Sequence, residues 1–367
     1  MPMLHHTGVT AKEGRQILEA SLCGSCHTVL TPTLNERGDI VGEFLEQGPY
    51  LEWLASSFAG KKSCQNCHVP QAEGGAGAES LFYIAHNPMG RAFPPTSPRT
   101  PFGVHSFAGG NAALLDLLAK QEGAGEGIAV SAGRTRQNLR RAAFLKMEAS
   151  READGVALRV TIRNLTGHKL PTGFPSRRMW LRVSAFDGTG RVLFESGGLD
   201  GSGQEIASRD ARVTAPGLQP HLNVINRPEQ VAIYEAEMAD ESGERTHSLL
   251  RASRFHKDNR LLPAGFAPTP ERLPEGVRPE WIAPAGTEGD GDFVAGADSV
   301  TYRLPGAATR VKADLLFQSI KPSQIRAIRG RGGAVPDALL DGLQGALSVE
   351  TLAEAELVIG SSGEARR

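Results

Sequence analysis

The chain has 367 residues, with 40 basic against 41 acidic side chains and a formal net charge of −1. That balance, with 40% hydrophobic and 22% charged residues, is ordinary for a globular chain and argues against disordered or collagen-like classes and against nucleic acid as a main partner. No apolar run reaches the roughly 20 residues of a membrane helix; the stretch from Ala112 is broken by Asp116 and stops at Lys120.

In chain order, Thr10-Ala11-Lys12-Glu13 makes a capping box, and Ile17, Leu18 and Ser21 follow at helical spacing, so a helix is expected to end at Cys23. A second helix is predicted over Pro49 to Phe58, with Leu51, Leu54, Ala55 and Phe58 on one face and Pro49 in the first turn; Tyr50 and Trp53 on it could pack on a cofactor or fill core. The Gly- and Ala-rich stretch Gln71 to Ser80 reads as a loop. Asn111 caps a third helix over Ala112 to Lys120, and Ser131 to Ala149 is predicted helical, with Leu139, Ala142, Ala143 and Met147 inward and Arg134, Arg136, Arg140, Arg141 and Lys146 mostly outward.

From about Gly155 the period changes to two. Val156, Leu158, Val160 and Ile162 alternate with Arg159, Thr161 and Arg163, which is a half-buried strand. Trp180 to Phe186 and Arg191 to Glu195 read as a hairpin across Asp187-Gly188-Thr189-Gly190. Further strands are predicted at Val231 to Glu237, Val300 to Leu304 and Val311 to Gln318, a long surface loop over Leu262 to Gly291, and a helix with a frayed tail beyond Gly333. The expected fold is α+β: a helical, loop-rich domain over residues 1–153, an antiparallel β-sandwich-like domain over 154–330, and a C-terminal helix and tail over 331–367.

All four cysteines fall in two copies of one pattern, Cys23-Gly24-Ser25-Cys26-His27 and Cys64-Gln65-Asn66-Cys67-His68. C-x-x-C-H is the attachment signature of c-type haem: two thiols two residues apart can each take one vinyl group of a porphyrin, and the next His ligates the iron. The competing reading is a zinc cage of four thiolates. The gap from Cys26 to Cys64 is longer than the ribbon spacing of about 15 to 20 residues, and such a cage has no need of the two histidines.

The chain resembles the bacterial multihaem c-type cytochromes that carry a β-rich domain after their haem-binding helices. The resemblance rests on Pro49-Tyr50-Leu51-Glu52-Trp53 leading into the second motif, on His105-Ser106-Phe107-Ala108-Gly109-Gly110-Asn111 and on Asn164-Leu165-Thr166-Gly167-His168-Lys169-Leu170-Pro171-Thr172-Gly173, with weaker support from Lys257-Asp258-Asn259-Arg260-Leu261-Leu262-Pro263. It implies two covalent haems c, His27 and His68 as proximal ligands and His105 and His168 as distal ones. His86 and Met89 form a rival ligand set, and a Met ligand would raise the reduction potential; His5 and His6 are a third option. His221, His247 and His256 read as surface residues. Lys169, Arg177 and Arg178 flank the His168 loop, as propionate partners or as a surface charge cluster.

The resemblance implies electron transfer in a periplasmic or extracellular redox chain, with other cytochromes as partners and a homo- or hetero-oligomer as an open option. No export signal precedes Cys23, so the chain looks like a mature form, a truncated product or a fragment. The alternatives are a haem enzyme with one open iron, reducing a small molecule or a peroxide, and a structural module of a larger multihaem assembly.

Overall fold

The computed structural model describes residues 5, 7–10, 12–70, 103–121, 123, 125–208, 210, 218–330, 335–345 and 347–360. The expected loop Gln71 to Ser80 lies outside them. Among the described residues the chain is mostly β, with thirteen strands in three sheets. This corrects the expected helical, loop-rich first domain.

Two segments account for the difference. The first is a hairpin of β1 (Val29–Leu34) and β2 (Ile40–Gln47), where Thr31 pairs with Phe44. Its turn is closed by Asn35, whose Oδ1 accepts the backbone N–H groups of Arg37 and Asp39 at 2.9 and 3.0 Å, and by Gly38 at φ 86°. The helices around it are short: α1 (Ala20–Gly24), α2 (Pro49–Leu54) and α3 (Gln65–His68). The second is the stretch predicted as one helix over Ser131 to Ala149. After α4 (Ala112–Ala119), α5 runs only over Glu126–Leu139, and β3 (Ala143–Glu152) follows, paired in full register with β4 (Gly155–Asn164). Ala143 and Leu145 point inward while Phe144 and Lys146 are exposed. Residues 139–147 satisfy both periods, and pairing with β4 decides between them.

The predicted strands form at β5 (Arg178–Phe186), β6 (Val192–Ser196), β8 (Ile233–Ala239), β11 (Ala297–Leu304) and β12 (Arg310–Gln318); the short β7 (Val224–Ile225) and β9 (Arg245–Thr246), and β10 (Arg254–Asp258), complete this part. After α6 (Pro322–Gly330), the helix expected beyond Gly333 forms as α7 (Asp337–Gly345), and the expected tail holds a strand, β13 (Glu350–Val358). The larger sheet runs β10-β8-β5-β12-β13, with β6 on β5 and β9 on β8; the smaller runs β3-β4-β11-β7. They share one apolar core. Val156, Leu158, Val160 and Ile162 of β4 meet Met179, Leu181, Val183 and Ala185 of β5 and Val311, Ala313, Leu315 and Phe317 of β12, all buried. Burying one such Val, Leu, Ile or Phe side chain is worth about 1.5 to 3 kcal/mol, so this sandwich is the rigid base of the molecule.

Two loops leave the sandwich toward the cysteine-bearing segments. Residues 165–177 join β4 to β5 and carry His168; residues 259–296 join β10 to β11. The second loop is not the free surface loop expected. Leu273 and Ile282 are buried with Leu45, Leu51 and Ala55, and Ala267 N–H donates to the Ala55 carbonyl at 2.8 Å. Gly265, at φ +67°, lies so close that a Cβ would meet the Ser57 Cβ at 2.7 Å.

Candidate haem-binding site

Both C-x-x-C-H segments fold as the same helical turn. The N–H of His27 donates to the Cys23 carbonyl at 2.9 Å, and that of His68 to the Cys64 carbonyl, also at 2.9 Å. Each imidazole therefore follows its first thiol by one turn. The four thiols are free.

The two turns are packed together. Gln65 Nε2 donates to the carbonyls of Ile17 and Glu19 at 2.9 and 2.8 Å, which binds the second motif to the approach of the first. Burial, then the neighbouring Cys23 thiol, push the Cys64 pKa up to about 12, so Cys64 is held as a thiol. Tyr50 of α2 closes on Gly24, where a Cβ would fall 2.6 Å from ring atoms, and Tyr50 in turn stacks on Trp53 at 5.9 Å. Next to Cys23 in sequence, Ile17, Leu18 and Leu22 are exposed, as is Phe107, at 67%, beside the His68 turn. Such apolar exposure marks a surface made to be covered.

The most specific geometry lies at the second motif. The rings of His68 and His168 lie with centroids 6.4 Å apart and planes 24° from parallel. A metal–nitrogen bond of about 2 Å and about 1.1 Å from nitrogen to ring centre, taken twice, predict about 6 Å for two imidazoles on one metal. The Nδ1 atoms are already engaged, at 2.7 Å from the Ala108 carbonyl for His68 and 2.8 Å from the Lys169 carbonyl for His168. A carbonyl partner puts the proton on Nδ1 and leaves the Nε2 lone pair, the arrangement a metal-ligating histidine needs. Burial lowers the His168 pKa, favouring the neutral ring.

His168 is placed by a buried frame. Asn164 Nδ2 donates to the carbonyls of His168 at 2.8 Å and Leu261 at 3.0 Å, and the N–H groups of Leu170 and Leu261 exchange hydrogen bonds with each other's carbonyls at 2.9 Å. Glu52, on α2, accepts from Lys169 N–H at 3.0 Å and Thr172 Oγ1 at 2.5 Å through one oxygen, and pairs with Arg260 at 3.1 Å through the other. Arg260 and Lys169 both pair with the buried Asp258, at 2.7 and 2.5 Å. Burial raises the Asp258 pKa, but Arg260 and Lys169 outweigh it and hold the carboxyl below its usual range. Gly167 completes the fit, since a Cβ there would meet Trp53 at 3.1 Å and Phe58 at 3.2 Å. Glu52, Asn164, Asp258 and Arg260 were not singled out as site residues from the sequence, and their only signal there was membership of the quoted segments.

Other candidates are placed differently. His27 and His105 are exposed; His105 lies against Phe107 at 5.7 Å, in the segment whose Ala108 carbonyl holds His68. His5 is exposed, and His6, His86 and Met89 lie outside the described residues. Lys169 is fully buried on Asp258, and Arg178 is buried on Asp210 at 2.6 Å, so neither is available as a propionate partner. Of the histidines read as surface residues, His256 is exposed as expected, His247 is half-buried, with burial lowering its pKa, and the His221 side chain is buried.

The four thiols form no cage. Among the described residues, the one trio with metal-like spacing is His221, Asp290 and Asp298. There, Asn259 donates Nδ2–H to the Ile233 carbonyl and to His221 Nδ1, while its Oδ1 accepts Glu235 N–H. His221 Nε2 must then carry the proton it gives Asp290 at 2.7 Å. Asp298 stands 3.7 Å from His221 Nε2 and accepts instead the Tyr234 hydroxyl at 2.6 Å, so the trio's groups already have protein partners.

No family model matches the chain, and no curated protein matches it by sequence. Among solved structures it is similar to a penta-heme cytochrome c552 from Thermochromatium tepidum, with a TM-score of 0.50 and 18% identity over 94% of this chain. The match covers 57% of that protein's chain. At this identity the likeness is one of fold: the chain has a multihaem-cytochrome-like fold.

Proposed function

We propose that the chain is a dihaem c-type electron carrier working outside the cytoplasm, in which the segments ahead of β3, within the expected residues 1–153, hold the haems, and the sandwich, which takes in β3 and β13 as well as residues 154–330, is locked onto them. Cys23 and Cys26 would bind one haem with His27 beneath it, and Cys64 and Cys67 the other with His68 beneath it. The observation that supports the reading is the His68–His168 pair, 6.4 Å apart between ring centres and each with Nδ1 on a backbone carbonyl, which leaves Nε2 free for a metal. His105 is the other candidate distal ligand. Haem iron supplies one-electron chemistry whose potential depends on axial ligands, hydrogen bonding and burial. The chain's own contribution is placement: Gln65 and Tyr50 draw the two motifs together, and the Glu52–Arg260–Asp258–Lys169 frame fixes His168. Filled axial positions suit transfer to other redox proteins, cytochromes among them.

The test is a pyridine haemochrome assay on protein produced with a periplasmic c-type maturation system and washed with acidified acetone. Two retained haems per chain are expected, with carbon monoxide failing to bind the reduced His68–His168 haem. No retained haem, with zinc in its place, would end this reading.

A further inference from the structure

Three of the four cations around the His168 loop are matched by carboxylates: Lys169 by Asp258, Arg260 by Asp258 and Glu52, and Arg178 by Asp210. Arg177 is not. Among the described residues its guanidinium reaches only neutral acceptors, the Thr172 carbonyl and Asn111 Oδ1, the latter at 3.1 Å. The residue is only half-buried, yet burial and the nearby Arg260 charge lower its pKa to about 10, the cost of holding a partly desolvated cation without a counter-charge. The chain nevertheless makes room for it. Gly173 stands at φ +83°, and a Cβ there would fall 2.7 Å from Arg177 Nη1.

Its position is as specific as its charge. Thr172 belongs to the loop that presents His168, and Asn111 ends the segment whose Ala108 carbonyl orients His68. Arg177 therefore bridges the two loops that supply the His68 and His168 imidazoles. A cation held beside the two imidazoles without a carboxylate calls for an anion carried by what binds between them. A planar, five-donor guanidinium matches a carboxylate with two parallel hydrogen bonds.

We propose that Arg177 is a positioning residue that binds a propionate carboxylate of the haem held between His68 and His168, an inference that rests on the functional reading above. Bound there, its positive charge favours the reduced, less positive iron.

The experiment compares the matured wild-type chain with R177Q and R177K by haem count and by spectroelectrochemical titration of both haems. All three should retain two haems. In R177Q one midpoint should move down while the other stays; R177K, which keeps the charge and loses the fork, should fall between. Superimposable titrations of R177Q and wild type, or equal shifts of both midpoints, overturn the assignment, as does failure of R177K to fall between. Wild type is also titrated with nitrite as a small oxyanion: a spectral change that R177Q lacks, with unshifted midpoints, would give Arg177 to an inorganic anion and overturn it too. A chain with no haem defeats the functional reading itself, which the haem count separates from failure of the Arg177 assignment.

Discussion

Glu52→Gln tests the frame that holds His168. Glu52 is 1% exposed and bound by Lys169 N–H, Thr172 Oγ1 and Arg260. The amide keeps the volume but removes the charge opposite Arg260 and turns an N–H₂ group toward donors. Breaking a buried pair by neutralising one partner costs about 3 to 5 kcal/mol, because the remaining cation cannot be rehydrated. For a domain of about 200 residues this lowers the thermal midpoint by roughly 6 to 20 °C. The control is Glu195→Gln, which breaks the Arg182 pair at 3.0 Å where both side chains are over a third exposed; its expected cost is under about 1 kcal/mol. Differential scanning calorimetry of the haem-loaded proteins reads both, and carbon monoxide binding to the reduced forms reads whether His168 has loosened. A Glu52→Gln protein as stable as the Glu195→Gln control, with unchanged carbon monoxide resistance, would refute the claim that this buried charge positions the loop.

Other consequences are as direct. His168→Ala should retain two covalent haems while one becomes high-spin and binds carbon monoxide; an unchanged low-spin spectrum would show that another side chain fills the position. Cys67→Ala should cut retained haem toward one per chain, read by haemochrome assay. Gly24→Ala drives a methyl group to within 2.6 Å of the Tyr50 ring; overpacking of this kind costs about 1 to 3 kcal/mol, and a compensating Tyr50→Leu should restore part of it, as measured by urea midpoint. Burial pushes the Glu235 pKa up, but Lys321, Lys257 and Arg178 outweigh it and leave the carboxyl well below its usual range. Its contribution is therefore complete above the unfolded value of about 4.3 and is lost as the pH falls through the folded value. Unfolding free energy should drop on acidification below about pH 4, and Glu235→Gln should flatten that slope; an equally steep loss in the variant would place the acid sensitivity elsewhere.

The sandwich was legible because its strands carry the signal themselves. Val156 to Ile162 and Val311 to Phe317 alternate cleanly, and each alternation is the face buried in the shared core. The first half was harder, since its structure is set by contacts distant in sequence. Residues 143–147 fit a helix or a strand by local count, and only β4 settles it. The hairpin at 29–47 was missed although Asn35 and Gly38 are turn residues, because Pro32 and the polar run of β1 weaken the alternation. The C-terminal β13 likewise owes its existence to the edge of β12.

The site shows the same division between chemistry and placement. Cysteine spacing reveals which residues can carry the chemistry, because two thiols and an imidazole within five residues depend on nothing beyond one helical turn. Placement of the second imidazole depends on Glu52, 116 positions before His168 in a different element, and on Asp258 and Arg260 a further 90 or so positions on. No local pattern encodes that a glutamate on a short helix will be buried against the N–H of Lys169; it follows only once the 165–177 and 259–296 loops have closed on α2. The segments quoted for resemblance, Pro49 to Trp53, His105 to Asn111, Asn164 to Gly173 and Lys257 to Pro263, prove to be the four pieces of this one frame. Their joint presence was a signal for the site, while the bonds between them had to come from the fold. A buried ion network is costly to assemble and strongly destabilising to break. Its location directly behind His168, rather than in the sandwich interior, is the reason to regard it as machinery for holding that imidazole.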